Sequence, residues 1–214
     1  MQLDCLDKIL QLRAPSATSV NFIIVIDNPA KADEVSRLKA KYEHLPEVRI
    51  RENRGNLGAS LARNKGISES AAEWVFFLDD DVEPSPDLLD FAALRIHQDP
   101  TAAGFVGSTS FPDPAKHICK AAIVFSGVTF FWGAASLPPG TFREDLMPWG
   151  VTANLLVRRA QDGVWFDGSF PKTGGGEDID FCLRKCRALA RDGLVAAPDL
   201  RAVHPWWNNV GPRG

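Results

Sequence analysis

The sequence lacks a strong charge of either sign. Its 214 residues include 24 lysines and arginines and 27 acidic residues, which gives a formal net charge of −3. Domains that bind nucleic acid usually need an excess of basic side chains to neutralise phosphates, so this class of function is not favoured. A composition that is 45% hydrophobic and 24% charged is typical of a globular chain and argues against intrinsic disorder.

Cysteines are few, at positions 5, 119, 182 and 186, and no two of them form a C-x-x-C pair. This spacing fits neither a disulfide-stabilised secreted scaffold nor a zinc finger. Cys182 and Cys186 are four residues apart, about one turn of a helix. They are either two small core residues or a metal or redox pair, and we favour the core interpretation.

From the sequence we expect neither a signal peptide nor a membrane span. Residues 1–12 contain charged side chains where a signal peptide has an apolar segment. The nearest approach to a membrane span, residues 121–137, is uncharged but shorter than the roughly 20 residues that a span requires. We expect a buried or groove-lining segment there, and attachment to a membrane surface is left open.

No repeat, low-complexity tract or long linker interrupts the chain, so residues 1–214 are expected to form a single domain. Short β-branched and aromatic runs alternate with amphipathic segments, which predicts an α/β fold with a mostly parallel sheet flanked by helices. The predicted helices cover residues 3–10, 30–42, 59–71, 87–97 and 177–191, and the predicted strands cover residues 20–26, 48–51, 74–78, 104–107, 152–157 and 194–197. Residues 111–147 show no clear period and are expected to be irregular with at most one helix.

Three carboxylates, Asp79, Asp80 and Asp81, directly follow the apolar strand predicted at residues 74–78. The carboxyl edge of a parallel sheet is where open α/β folds place their ligands. In an extended backbone Asp79 and Asp81 point to one side, where they can hold a divalent cation, while Asp80 points to the other and can bind a ligand hydroxyl. An acidic turn before a helix is the simpler interpretation, but three successive carboxylates repel one another and favour a cation.

A second acidic cluster, Glu177, Asp178 and Asp180, follows the sequence KTGGG at residues 172–176 and opens a predicted helix. Acidic residues in a first helical turn can simply complement the helix dipole. Three glycines, however, allow a substrate to come close, and a carboxylate in such a cleft can act as a general base toward a hydroxyl. Both interpretations fit the sequence.

Other candidate residues give weaker signals. Two glycines, at positions 55 and 58, precede a helix that contains Arg63, an arrangement that suits phosphate binding but is often only a turn. A single histidine such as His204 is more often structural than a ligand. Tryptophans in loop-like regions suit stacking on sugar rings; these are Trp132, Trp149, Trp206 and Trp207.

Four motifs, taken in order, resemble those of the family 2 glycosyltransferases, which have a GT-A fold. They are N-x-G-x-x-x-A-R-N-x-G at residues 56–66, FLDDDVEPSPDLL at residues 77–89, GVTANLLVRR at residues 150–159 and GVWFDGSFPKTGGGEDIDFCLR at residues 163–184. The resemblance extends over residues 3–206. Several motifs in the right order are more specific than any one of them.

The resemblance implies a Rossmann-like GT-A domain that transfers a sugar from a UDP- or GDP-linked donor to a hydroxyl of a glycan, lipid or protein acceptor. It also implies that Asp81, Asp79 and His204 hold a Mn²⁺ or Mg²⁺ ion on the donor diphosphate. In inverting members the aspartate at the position of Asp178 activates the acceptor. The implied donor-binding residues are Asp27, Asn28, Asn56, Gly58, Arg63, Asp79 and Asp80, and the acceptor-binding residues are Gly175, Gly176, Glu177 and Trp149.

The resemblance assigns a donor half to about residues 1–110 and an acceptor half to about residues 111–214. The family opens with a strand of the type V-S-V-I-I-P-x-Y-N, whereas Met1 here begins the helix that follows it, so we expect an N-terminally truncated fold without that strand. Pro29 stands where the family has glycine or serine, which is expected to change the base contact. The alternative functions are a catalytically inactive relative that binds nucleotide or glycan and a metal-dependent phosphate hydrolase.

Overall fold

Helices and strands alternate along the chain. The structure is a computed structural model that describes residues 3–16, 18–28, 32–110, 146–159, 162–172 and 175–204. Its helices are α1 (Leu3–Leu10), α2 (Ala32–Tyr42), α3 (Ala59–Glu69), α4 (Leu88–Gln98) and α5 (Glu177–Ala188). Its strands are β1 (Phe22–Ile26), β2 (Val48–Glu52), β3 (Trp74–Leu78), β4 (Glu83–Pro84), β5 (Gly104–Ser110), β6 (Leu146–Met147), β7 (Asn154–Arg158) and β8 (Leu194–Val203).

The predicted elements are confirmed to within a few residues, with β8 as the largest difference, whereas the two-residue strands β4 and β6 were not predicted. This strand was predicted to end at residue 197 and continues to Val203. Asp199 and Arg201 give the stretch a polar, loop-like sequence, but Leu200 and Ala202 are buried against the core and extend the strand. Buried and more exposed residues alternate from Asp199 to Val203, as in a strand. The alternation was overlooked because the segment contains charged residues, and it is pairing with β4 and β5 that makes the segment a strand.

The strands form two sheets. Strands β1 and β2 make a parallel pair, and the larger sheet has the order β3-β7-β5-β8-β4, with β6 also paired to β8. Within the larger sheet β5 and β8 are parallel, whereas β7 runs antiparallel to both of its neighbours. The α/β fold class is confirmed, but the expected mostly parallel sheet is in fact mixed. Because the first four residues of β7 are all buried, its sequence is that of a central strand and carries no sign of its direction.

An aromatic cluster forms the core between α5 and the larger sheet. The rings of Phe166 and Phe181 stack with centroids 4.0 Å apart, and Phe77 meets Phe181 edge-on at 6.2 Å. Cys182 and Cys186 are buried in the same core and form no disulfide. The burial of both side chains confirms the core interpretation of this pair, and the same burial raises the pKa of the Cys182 thiol to about 12.

Several sequence-based expectations fall outside the described residues. They concern the irregular region up to residue 145, the uncharged run at residues 121–137, Pro29, and the tryptophans at positions 132, 206 and 207. Among the helices that the structure does describe, none combines the length and the apolar character needed to span a membrane.

Candidate active site

The turn after β3 carries three aspartates that differ in exposure. Asp80 is exposed, whereas Asp79 and Asp81 are half-buried. The expected extended backbone ends before these residues, because β3 stops at Leu78 and the chain turns at Asp80 and Asp81. The N–H of Val82 donates to the backbone oxygen of Asp79 at 3.3 Å and closes the turn. Val82 is fully buried, so this acidic turn is anchored in the core at the carboxyl end of β3.

His204 directly follows β8 and lies beside the acidic turn. The residue is 2% exposed, and its N–H donates to the backbone oxygen of Ser110 at 2.8 Å. Its Nε2 lies 3.4 Å from Oδ1 of Asp81. Two of the three predicted metal ligands are therefore neighbours, although they are far apart in the sequence.

These two atoms fit part of a divalent metal site. At 3.4 Å apart they can both reach one cation at the usual distance of about 2.1 Å. The third predicted ligand, Asp79, has its Oδ1 3.7 Å from Nη2 of Arg63. Within the described ranges no group of three or more His, Cys, Asp or Glu side chains is arranged to hold a metal ion. Mg²⁺ sites that act on nucleotides often use one or two carboxylates and complete their shell with phosphate and water. Asp81 is a ligand of that kind, and the imidazole of His204 adds a nitrogen donor beside it.

Arg63 of α3 joins the acidic turn to the start of α5. Its Nη1 donates to Oε1 of Glu177 at 2.7 Å, and its Nη2 lies 3.7 Å from Oδ1 of Asp79. The guanidinium also lies over the ring of Phe166, 5.6 Å from the centroid. An ion pair that is largely shielded from water is held rigidly, so Arg63 fixes the relative position of the two acidic clusters.

Glu177, the first residue of α5, is 4% exposed. It accepts hydrogen bonds from Arg63 and, at 2.5 Å, from the N–H of Gly175. Burial acts to raise its pKa, but the hydrogen bonds from Arg63 and from backbone N–H groups outweigh that effect and hold the pKa below the ordinary value. Its carboxylate is therefore committed to the protein, which favours a structural role over the predicted contact with an acceptor.

Asp178 has the opposite electrostatic character. Burial, followed by the negative charge of Glu177, raises the pKa of Asp178 above the ordinary value of an aspartate. Its Oδ1 accepts a hydrogen bond from the N–H of Ile179 at 2.9 Å. A half-buried carboxylate with a raised pKa is a stronger base than an exposed one, so Asp178 suits general-base chemistry.

Asp27 organises the loop at residues 53–58. One carboxylate oxygen accepts hydrogen bonds from Nδ2 of Asn53 and the N–H of Leu57, and the other accepts from the N–H of Gly58 at 2.8 Å. The exposed Asn56 lies in this loop. Asp27 thus holds the loop in place, and its predicted contact with a nucleotide base stays a prediction, as does that of the exposed Asn28 beside it.

The same loop is in contact with the segment that leads to the glycine run. Nζ of Lys172 donates to the backbone oxygen of Asn56 at 2.8 Å. Gly58 has a φ of 92°, and a Cβ at this position would lie 2.7 Å from Cα of Lys172. Glycine is therefore required at position 58 both by its conformation and by the close approach of the second segment.

Two glycines before α5 are explained by backbone geometry. Gly175 and Gly176 have φ values of 122° and 89°, conformations that other residues rarely adopt. Gly176 is also the N-cap residue of α5. The glycines are needed for the helix start whether or not a substrate approaches, so acceptor binding at these positions stays a prediction.

Sequence reasoning missed two residues that tie the site together. Nδ2 of Asn64 donates to the backbone oxygen of Phe166, and the N–H of Phe166 donates to Oδ1 of Asn64, both at 2.8 Å. This pair fixes the segment before the glycine run to α3, and its asparagine was visible in the A-R-N part of the first motif.

Trp149, which was predicted to bind the acceptor, is half-buried and packs against the aromatic core. Its contact with a sugar stays a prediction.

Comparisons with known proteins give a family and a fold. The sequence profile described as Glycosyl transferase family 2 matches residues 3–141. No curated protein sequence matches the chain. TarS of S. aureus in complex with UDP-GlcNAc is similar with a TM-score of 0.68 at 15% identity, over 98% of this chain and 55% of that chain.

Two further solved structures are similar at the same level. The mannosyltransferase PcManGT from Pyrobaculum calidifontis, in complex with GDP-Man and Mn²⁺, has a TM-score of 0.62 at 16% identity, over 99% of this chain and 54% of that chain. GalNAc-T7 with UDP, GalNAc and Mn²⁺ has a TM-score of 0.61 at 14% identity, over 91% of this chain and 39% of that chain. Identities this low show the fold, which is GT-A, and the chain spans about half the length of the first two structures.

Proposed function

This chain belongs to glycosyl transferase family 2, and from that premise we propose that it is a nucleotide-sugar glycosyltransferase domain. The proposal rests mainly on Arg63, whose side chain brings its own motif into contact with the acidic turn and with the start of α5. Its guanidinium lies between Asp79 of the acidic turn and Glu177, the neighbour of Asp178. This arrangement supports one site in which a donor diphosphate and an acceptor hydroxyl react.

In this proposal Asp178 is the general base. Its carboxylate accepts the proton of an acceptor hydroxyl while the hydroxyl oxygen bonds to the anomeric carbon of the donor sugar. The bond from that carbon to the diphosphate oxygen breaks, and the nucleoside diphosphate leaves with the electron pair. Attack on the face opposite the leaving group inverts the anomeric configuration, and no covalent intermediate with the protein forms.

We propose a UDP- or GDP-sugar as the donor. Support comes from the fold, since TarS and PcManGT were solved with UDP-GlcNAc and GDP-Man. Asp27 and Asn28 are proposed to contact the nucleotide base, and the loop that contains Asn56 and Gly58 to approach the diphosphate. Arg63 is held by Glu177 close to the acidic turn, where it adds positive charge beside that diphosphate.

Asp81 and His204 are proposed to hold a Mn²⁺ or Mg²⁺ ion, with Asp79 as the third candidate ligand. When bound, such an ion neutralises negative charge on the diphosphate leaving group. Asp80, which is exposed, is proposed to contact the ribose.

The acceptor side is proposed to lie near Gly175, Gly176 and Trp149, with Glu177 positioning Arg63 rather than touching the acceptor. The acceptor class is a hydroxyl of a glycan, lipid or protein, and a membrane surface is a proposed site of action. The two sides correspond to a donor half at about residues 1–110 and an acceptor half at about residues 111–214 of one domain.

A test of this proposal is donor cleavage in ¹⁸O-labelled water with Mn²⁺ and a panel of UDP- and GDP-sugars. A glycosyltransferase that uses water as a slow acceptor breaks the bond at the anomeric carbon and releases unlabelled nucleoside diphosphate. A phosphate hydrolase instead places ¹⁸O in the phosphate product. Metal-dependent binding of nucleotide with no cleavage of any donor, and no transfer to glycan acceptors, would identify an inactive relative.

A further inference from the structure

Strand β8 changes its register on β5 at a bulge. Gly107 pairs with Ala197, but the next residue of β5, Ser108, pairs with Arg201. Residues 198–200 therefore have no counterpart on β5. Bulges of this kind interrupt the ladder and redirect the strand that follows, and they are common next to functional sites.

The side chain of Asn154 bridges this bulge. Asn154 is the first residue of β7 and is fully buried. Its Nδ2 donates to the backbone oxygen of Ser108 at 3.1 Å and to that of Leu200 at 2.8 Å. One amide group thus satisfies a carbonyl of β5 and a carbonyl of β8 at the point where their own pairing is interrupted.

Gly107 makes room for that amide. A Cβ at position 107 would lie 2.4 Å from Nδ2 of Asn154, closer than two such atoms can approach. The two acceptors are carbonyl oxygens, so a donor is required, and an aspartate at position 154 would have no N–H to offer. The bulge therefore needs both residues, an amide donor at position 154 and a glycine at position 107 that leaves space for it.

The strand beyond the bulge leads directly to the active site. Residues 201–203 of β8 pair with β5, and β4 pairs with the same segment on its other side. His204 follows, bonded through its N–H to Ser110 and facing Asp81 at 3.4 Å. A slip of one residue in this register would turn His204 to the opposite face of the sheet, because side chains alternate along a strand.

We propose that Asn154 is a positioning residue of the active site, because its carboxamide fixes the register of β8 and so places His204 against Asp81. Asn154 is also in register with Leu78, which precedes the acidic turn, so β7 braces both parts of the proposed metal site. The catalytic consequence rests on the proposed function, whereas the structural claim about β8 does not.

The structural claim is tested on the metal-free protein by amide hydrogen exchange. Asn154→Ala removes the two hydrogen bonds, and Gly107→Ala pushes the carboxamide aside without removing it. We expect exchange at the His204 amide to rise about tenfold or more in each variant, relative to slow amides of β3. Leu38→Ala, in the separate core under β1 and β2, is the matched control. It should leave the ratio of the exchange rate at the His204 amide to the rates of the slow β3 amides unchanged.

The double variant Gly107→Ala/Asn154→Ala sharpens the test. In the double variant the side-chain amide of Asn154 is absent, so the Cβ added at position 107 has nothing to displace. The backbone amide of His204 should therefore exchange no faster than in Asn154→Ala alone. An unchanged His204 amide in both single variants, or the same change in Leu38→Ala, would overturn the proposal. If Asn154→Ala does not fold, Gly107→Ala and Asn154→Ser decide the question in its place.

The catalytic consequence has its own measurement, the affinity for Mn²⁺ in the presence of UDP. Asn154→Ala is expected to weaken Mn²⁺ binding about tenfold, with no further loss when it is added to His204→Ala, because both changes remove the same ligand. If the losses of Mn²⁺ affinity in Asn154→Ala and His204→Ala were fully additive, Asn154 would not act by positioning His204. If the unaltered protein binds no Mn²⁺ with any nucleotide, the proposed function fails, and hydrogen exchange still decides the role of Asn154.

Discussion

The guanidinium of Arg63 lies 2.7 Å from the carboxylate of Glu177 and donates a hydrogen bond to it. The pair links α3 to α5, and Arg63 extends the link to Asp79 of the acidic turn. Glu177 in turn holds the N–H of Gly175. The neighbour of the proposed base is therefore fixed by the same arginine that faces the proposed donor site.

The first prediction concerns the energy of this pair. Removing one partner leaves the other with its charge buried and unsatisfied, so Arg63→Met and Glu177→Gln should each lower the free energy of unfolding by about 2–4 kcal/mol. The double variant should cost clearly less than the sum of the two, since the second change removes a charge that the first left unpaired. Urea unfolding of the four proteins measures this, and additive losses would show that the two side chains do not interact.

The second prediction is that the adjacent acids respond to pH in opposite directions. The folded-state pKa of Asp178 is raised by burial, so folding favours its protonated form and this residue costs stability at neutral pH. Asp178→Asn should then raise the melting temperature at pH 7, with the advantage vanishing as the pH falls through the folded-state pKa.

Glu177 should behave in the reverse way. Its folded-state pKa is lowered, so its contribution to stability is present above the unfolded pKa and is lost as the pH falls through the folded-state pKa. Glu177→Gln should therefore be destabilised at pH 7 and approach the unaltered protein in acid. Melting curves from pH 3 to pH 8 check both residues, and a shift of the same sign at pH 7 for both variants would refute the assignment of their roles.

The third prediction concerns the proposed metal ligands. Asp81→Ala should abolish Mn²⁺-dependent binding of UDP or GDP, and His204→Ala should raise the Mn²⁺ concentration that binding requires. Asp87→Ala, an acid outside the site beside Arg201, is the control in calorimetric titrations. Unchanged nucleotide affinity in Asp81→Ala would remove this carboxylate from the site.

Local patterns in the sequence were enough to predict the five described helices, six of the eight described strands and the two acidic clusters, but not the two-residue strands β4 and β6. The run at residues 74–78 identifies a strand, and the aspartates that follow it must lie at its carboxyl end. Likewise, Cys182 and Cys186 fall on one face of a helix and are buried as expected. These features depend on neighbouring residues, which a sequence shows directly.

The features that could not be predicted depend on contacts between distant segments. Nothing near Arg63 indicates Glu177 as its partner, and nothing near Asn154 shows that β8 carries a bulge. The antiparallel direction of β7 is likewise set by how the chain returns to the sheet. Resemblance to a family suggested His204 as a metal ligand, but its distance of 3.4 Å from Asp81 required the structure.

The most direct test of the proposed mechanism is the rate of nucleoside diphosphate release by the unaltered protein, Asp178→Asn and Asp180→Asn, with whichever donor the panel identifies. General-base assistance is worth about 10²–10⁴ in rate, so Asp178→Asn should lose about that factor while donor affinity is retained. Asp180, whose carboxylate is bonded to Arg184, is the matched acid, and Asp180→Asn should stay near the unaltered rate. Turnover by Asp178→Asn at the unaltered rate would contradict the mechanism.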